Sequence, residues 1–199
     1  MKHFQLVLLF SFTSILVNGQ STHSLDFNRF GLRAGANFAH INFSKGEPPA
    51  DTKTTWQPGL VAGVYIAMPI SNKLAIQPEY LFSQMNSAVK ENDVLIKLNY
   101  LSLPVFLKFQ LTEQLALMAG PQFDLLISAD GNFGTSQKLT HDVEESSIAA
   151  TVGLELTLYK TFAMSGRYMQ GLNHIGIKQS GTVQEFKFEM VQISASFSF

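Results

Sequence analysis

The sequence predicts an all-β chain, an eight-stranded antiparallel up-and-down transmembrane β-barrel. Three observations predict it. Apolar residues alternate with small or polar ones in eight successive segments, each with an apolar face of about nine residues. Short turns and long polar connections follow one another in strict order. Charge is scarce, at 15% of 199 residues against about 25% in ordinary soluble domains, although the hydrophobic total of 46% is unexceptional.

The chain opens on Met1-Lys2-His3, followed by an apolar run from Phe4 to Val17. Val17 and Gly19 put small residues at the −3 and −1 positions before Gln20. Basic start, apolar centre and small-residue exit predict a signal peptide over residues 1–19 and a barrel domain over residues 20–199. The run is shorter than the roughly 20 residues that a spanning helix needs.

The strands follow in order after a polar leader, Ser21 to Asn28. Phe30, Leu32, Ala34, Ala36 and Phe38 form the first apolar face, opposite Gly31, Arg33, Gly35 and Asn37. Leu60, Ala62, Val64, Ile66 and Met68 form the second, and Leu74, Ile76, Pro78, Tyr80 and Phe82 the third. Leu101 to Phe109 and Leu115 to Phe123 supply the fourth and fifth, the fifth continuing through Leu125 and Ile127. The sixth runs from Ile148 to Leu158, the seventh from Phe162 to Tyr168, and the eighth from Val191 to Phe199. Nine to eleven tilted residues are what a strand needs to cross a bilayer core. Pro78, Pro104 and Pro121 each remove a ladder donor within a strand, so bulges are expected there.

Three connections read as short turns: Pro69 to Lys73, Gln110 to Gln114 and Tyr159 to Thr161. Between them lie four long polar loops, Ser44 to Thr55, Gln84 to Lys97, Ser128 to Ser147 and Gly171 to Gln184. With an even strand count, that alternation puts both termini in the periplasm and the long loops outside. A soluble sandwich or lipocalin-like barrel is the competing fold, but it would turn its large apolar residues inward. Here the second face is mostly Gly, Ala, Ser, Thr and Gln, which suits the narrow interior of eight strands.

On these registers Arg33, Lys108 and Arg167 point inward, as do Glu79, Asp124 and Glu155. Buried charge is costly unless paired, so three against three predicts a salt-bridge plug rather than an aqueous pore. Reading Glu79 and Glu155 as a catalytic pair lacks a nucleophile and an oxyanion site. His141 stands near Asp142, Glu144, Ser146 and Ser147, a loose likeness to barrel-borne lipid hydrolases, and reads more simply as a solvated loop. His40 and His174 have no ligand spacing, so no metal, cofactor or catalytic residue is expected. The absence of cysteine removes thiol chemistry and Cys-ligated metals, and a net charge of −1 without a basic cluster argues against nucleic acid.

Several segments resemble the PorT-like outer-membrane β-barrel family of Bacteroidota. They are Gly31-Leu-Arg-Ala-Gly-Ala-Asn37, Leu74-Ala-Ile-Gln-Pro-Glu-Tyr80, Tyr100-Leu-Ser-Leu-Pro-Val-Phe-Leu-Lys108, Ala119-Gly-Pro121, Gly166-Arg-Tyr168 and Gly171-Leu-Asn173. The Phe-terminated last strand, with Phe197 and Phe199 outward, also resembles the signal read by the barrel-assembly machinery. The resemblance implies an outer-membrane location and an eight-stranded barrel. The family's founder is associated with type IX secretion, which implies at most an accessory role in secretion or envelope assembly. The expected function is therefore non-enzymatic, with outer-membrane lipids, assembly machinery and an envelope or secretion-system protein as partners. A small porin and a lipid-modifying enzyme are the alternatives.

Overall fold

The computed structural model describes residues 30–45, 54–89, 94–132, 136–138, 146–173, 175–179 and 182–199. The expected signal peptide, His141, Asp142, Glu144 and His174 lie outside them. The elements are β1 (Phe30–Lys45), β2 (Thr54–Ile66), β3 (Met68–Ser71), β4 (Leu74–Val89), β5 (Val94–Gln110) and β6 (Leu115–Asn132). They continue with β7 (Ser136–Lys138), β8 (Ser146–Tyr159), β9 (Phe162–Gly171), β10 (Ile175–Gln179) and β11 (Thr182–Ser198).

Eight of these strands form the wall, in the order β1-β2-β4-β5-β6-β8-β9-β11, and β1 also pairs antiparallel with β11. Pairing the first strand with the last closes the sheet and leaves no edge along the wall. The short strands are additions to it: β3 pairs β4, β7 pairs β6, and β10 pairs β11.

The period-2 pattern decides which side chain points where. Leu32, Leu60, Phe82, Leu107, Phe123, Leu154, Met164 and Ile193 are exposed on the outer face, while their neighbours Arg33, Val61, Leu81, Phe106, Gln122, Glu155, Ser165 and Gln192 are buried in the lumen. Glycine makes room where the lumen is tightest. A Cβ on Gly153 would lie 2.7 Å from Arg167 Cγ, and one on Gly31 would run into the Tyr65 ring.

The prolines do not produce the expected bulges. Pro78 stays in register with Val105, Pro104 with Gln122, and Pro121 with Ala150. Instead the ladder opens for two rungs and resumes in the same frame, between Pro78 and Leu81 against β5 and between Pro104 and Leu107 against β6. Losing one donor costs a rung, and an open rung absorbs that without inserting a residue. The register shifts lie elsewhere, including between Trp56 and Val61 on β2, around Pro58, and at Asn99/Tyr100 on β5. At the first, Asn86 Nδ2 donates to Pro58 O at 2.7 Å and the Leu60 N–H to Gln84 Oε1 at 3.2 Å.

Within the described residues, strand runs into the expected long loops. β4 reaches Val89, where it pairs Val94 of β5, so most of the segment from Gln84 to Lys97 is ladder. β6 extends to Asn132, and β11 begins at Thr182. In this upper collar the two faces exchange character. Met85, Leu98, Tyr100, Phe188 and Met190 are fully buried inside, while Gln84, Lys97, Asn99, Asp130 and Glu189 lie on the outer side.

Candidate functional site

The interior side chains of β1, β4, β5, β8 and β9 meet in one line across the lumen. Lys108 Nζ on β5 donates to Glu155 Oε1 on β8 at 2.5 Å. Arg33 Nη2 on β1 donates to the other oxygen of Glu155 at 2.8 Å and stands 3.6 Å from Glu79 Oε1 on β4. Arg167 on β9 grips Glu79 through both terminal nitrogens, at 2.7 Å each. The result is an alternating series, Lys108–Glu155–Arg33–Glu79–Arg167. Fork-on-carboxylate geometry of the Arg167–Glu79 kind is the strongest form such a pair takes.

Each charge is held by neutral partners as well. Arg33 Nη1 donates to Ser165 Oγ and, at 3.1 Å, to Ser194 Oγ, and its guanidinium carbon lies 5.2 Å from the Tyr65 ring centroid. Arg167 sits over the Phe106 ring at 4.5 Å. Gln77 Nε2 donates to Glu79 Oε1 at 2.7 Å. Side-chain exposure is 0–4% for all members except Lys108, at 12%. Burial this complete is tolerable only because every carboxylate oxygen in the series accepts from a cation.

Asp124, the sixth charge expected in the lumen, is not in the series. It is 1% exposed, and its Oδ1 accepts from Ser102 Oγ and from Gln122 Nε2 at 2.9 Å. Among the described residues no cation faces it, and its Oδ2 has no hydrogen-bond partner. Sequence register placed Asp124 on the correct face but could not give its height against the cations. Tyr65, Gln77, Phe106, Ser165 and Ser194 went unremarked as partners. Their lumen-facing register was the available signal.

The two outward phenylalanines lie at the opposite face of the wall. Phe197 and Phe199 are 46% and 68% exposed, with ring centroids 5.3 Å apart, and Phe199 stacks on Phe30 at 5.9 Å. His40 stacks on Trp56 at 5.4 Å. Ser147 Oγ donates to Asn173 Oδ1 at 3.3 Å. Among the described residues no group of three or more His, Asp or Glu is arranged to hold a metal.

Comparison with known proteins bears on the fold and on the family. Neisserial surface protein A superposes with a TM-score of 0.55 at 14% identity, covering 85% of this chain and 97% of that one. Ail, the attachment invasion locus protein of Yersinia pestis, gives 0.50 at 14% identity, covering 86% and 99%. At such identities the likeness is one of fold. No functionally curated protein matches. The family model for the outer membrane protein beta-barrel domain matches residues 18–176, from ahead of β1 through the start of β10. Closed wall, outward apolar face and family match agree: the chain belongs to the outer membrane protein beta-barrel domain family, and its place is the outer membrane.

Proposed function

We propose that this chain is a non-enzymatic outer-membrane barrel whose lumen is plugged by its own side chains, and that it acts through its two ends rather than as a conduit. The observation that carries the reading is the charge series from Lys108 to Arg167, which crosses the lumen and leaves all its members except Lys108 almost without exposure. A water-filled channel of the porin type needs more strands than eight, because a lumen this narrow is filled by its side chains. The apolar upper interior of Leu98, Tyr100, Phe188 and Met190 supports the same reading, since it adds a second closure above the first.

Finer membership in the PorT-like group, with an accessory role in secretion or envelope assembly, is supported by the segments around Arg33, Glu79 and Lys108. Outer-membrane lipids cover the outward band, and the outward pair Phe197 and Phe199 on the closing strand is the handle for the assembly machinery. Export by a signal peptide over residues 1–19 belongs to this reading.

Planar-bilayer recording of the refolded chain tests it. Folded protein, recognised by faster migration on an unboiled gel, is expected to give no stable conductance. Stable single-channel openings from that folded species would overturn the plugged lumen.

A further inference from the structure

The charge series holds three cations and two carboxylates, so it carries one excess positive charge within the barrel. Asp124 does not neutralise it by contact, being held by Ser102 and Gln122. Arg33 Nε and Arg167 Nε are buried donors without an acceptor, so those two cations are not fully satisfied by their carboxylates. An uncompensated charge in a low-dielectric interior draws a counter-ion through whatever opening reaches it.

An opening among the described residues reaches the series. A cavity of about 400 Å³ lies at the end of the barrel where β1 begins and β11 ends, and Lys108 and Glu155 line it together with Tyr65, Thr157 and Ser198. Its volume falls within the roughly 300–1,000 Å³ of small-ligand sites. Lys108 is the only member of the series with appreciable side-chain exposure, and one N–H of its ammonium is committed to Glu155. Lys160 adds a second positive charge to the lining. The acids there are Glu155, already shared by two cations, and Glu113 in the exposed turn 111–114.

We propose that this vestibule is a binding site for a monoanion of the carboxylate class, seated against Lys108 Nζ and entering from the end of the barrel where β1 begins and β11 ends. A carboxylate supplies the single negative charge that the series lacks, and its two oxygens can accept from the Lys108 ammonium and from a hydroxyl of the same lining, such as that of Thr157. Its source is either a small organic acid or the C-terminal carboxylate of a polypeptide. The inference rests on the plugged-lumen reading, because an open channel would let solvent ions neutralise the series from either end.

The test uses the folded barrel in zwitterionic detergent at constant ionic strength, with lysine side chains carbon-13 labelled. The probes are propionate, N-acetyl-trialanine with a free carboxylate, its C-terminal amide, and chloride. A saturable shift of the Lys108 signal is expected with propionate, with the free-acid peptide, or with both, and none with amide or chloride. The responding probe identifies the source. Lys108→Met is expected to weaken binding about tenfold or more, read from the unfolding midpoint, since a charge-assisted bond is lost. It leaves Glu155 paired with Arg33, so the gel shift of the folded species persists. Thr157→Trp, which fills the vestibule and keeps Lys108, is expected to abolish the saturable shift. An equal response to the amide, no saturable response to either acid, or binding that survives both substitutions would overturn the site. Bilayer conductance on the same preparation tests the plugged lumen separately.

Discussion

Removing Glu79 and removing Arg167 break the same ion pair, yet the two losses are expected to differ. Glu79→Leu leaves three cations facing Glu155 alone and strips Arg167 of its only carboxylate. Arg167→Met leaves two cations and two carboxylates, with Glu79 still 3.6 Å from Arg33 and bonded to Gln77. Both variants lose the two hydrogen bonds between Arg167 and Glu79, but Glu79→Leu also leaves a buried charge uncompensated, a loss of about 3–5 kcal/mol in all. The second should cost about 1–3 kcal/mol, because the remaining charges balance. The double variant removes both orphaned groups and should cost about 1–2 kcal/mol, less than Glu79→Leu alone. Urea unfolding in lipid vesicles, followed by the fluorescence of the sole tryptophan, Trp56, measures all three. If Arg167→Met costs as much as Glu79→Leu, or the double equals the sum of the singles, the series is not a coupled charge network.

Leu154 is 48% exposed on the outer face, four residues from Leu158 near the end of β8. Leu154→Arg should cost about 2–4 kcal/mol in vesicles and Leu158→Arg about 0–1 kcal/mol, a depth dependence that equal costs would contradict. Gly153→Val should lower the urea midpoint by the equivalent of about 1–3 kcal/mol, because its Cβ would lie 2.6 Å from Gly166 O and 2.7 Å from Arg167 Cγ, pressing on the strand and side chain that hold Glu79. Phe199→Ser removes ring contacts with Phe30 and Phe197, worth about 0.5–1.5 kcal/mol each, and should reduce the folded band recovered from membranes.

The wall was legible in the sequence because lipid imposes one rule on every strand. Each outward residue must be apolar, so Leu154 beside Glu155, or Ile193 beside Gln192, fixes the face without knowledge of any neighbour. Arg33, Lys108, Arg167, Glu79 and Glu155 were placed inside by that parity. Which of them touch depends on the stagger between strands, and parity carries no information about stagger. Asp124 shows the consequence. It shares a face with the five but pairs at its own level with Ser102, six residues along β5 from Lys108. Prolines misled for a related reason. A missing donor announces a defect in the ladder, but whether it becomes an inserted residue or an open rung is settled by the strands on either side.

The collar was missed because its pattern has the same period with opposite sign. On β11, Phe197, Ile193 and Val191 face out and Ser196, Ser194 and Gln192 face in; two residues upstream, Glu189 lies on the outer side and Met190 and Phe188 are buried. On β5 the exchange falls between Leu101 and Asn99, and on β4 between Phe82 and Gln84. A reading tuned to apolar-out strands sees polar residues begin and assigns a loop. The physical cause is a change of solvent along a continuous strand: lipid outside and polar side chains inside give way to water outside and an apolar core inside. The ladder itself continues, as Met85 opposite Leu98 and Asn86 opposite Lys97 demonstrate. The level at which the sign changes on β4, β5 and β11 therefore marks the upper edge of the bilayer, and Trp56, 45% exposed and stacked on His40, stands just beyond that level, at one end of the register shift of β2.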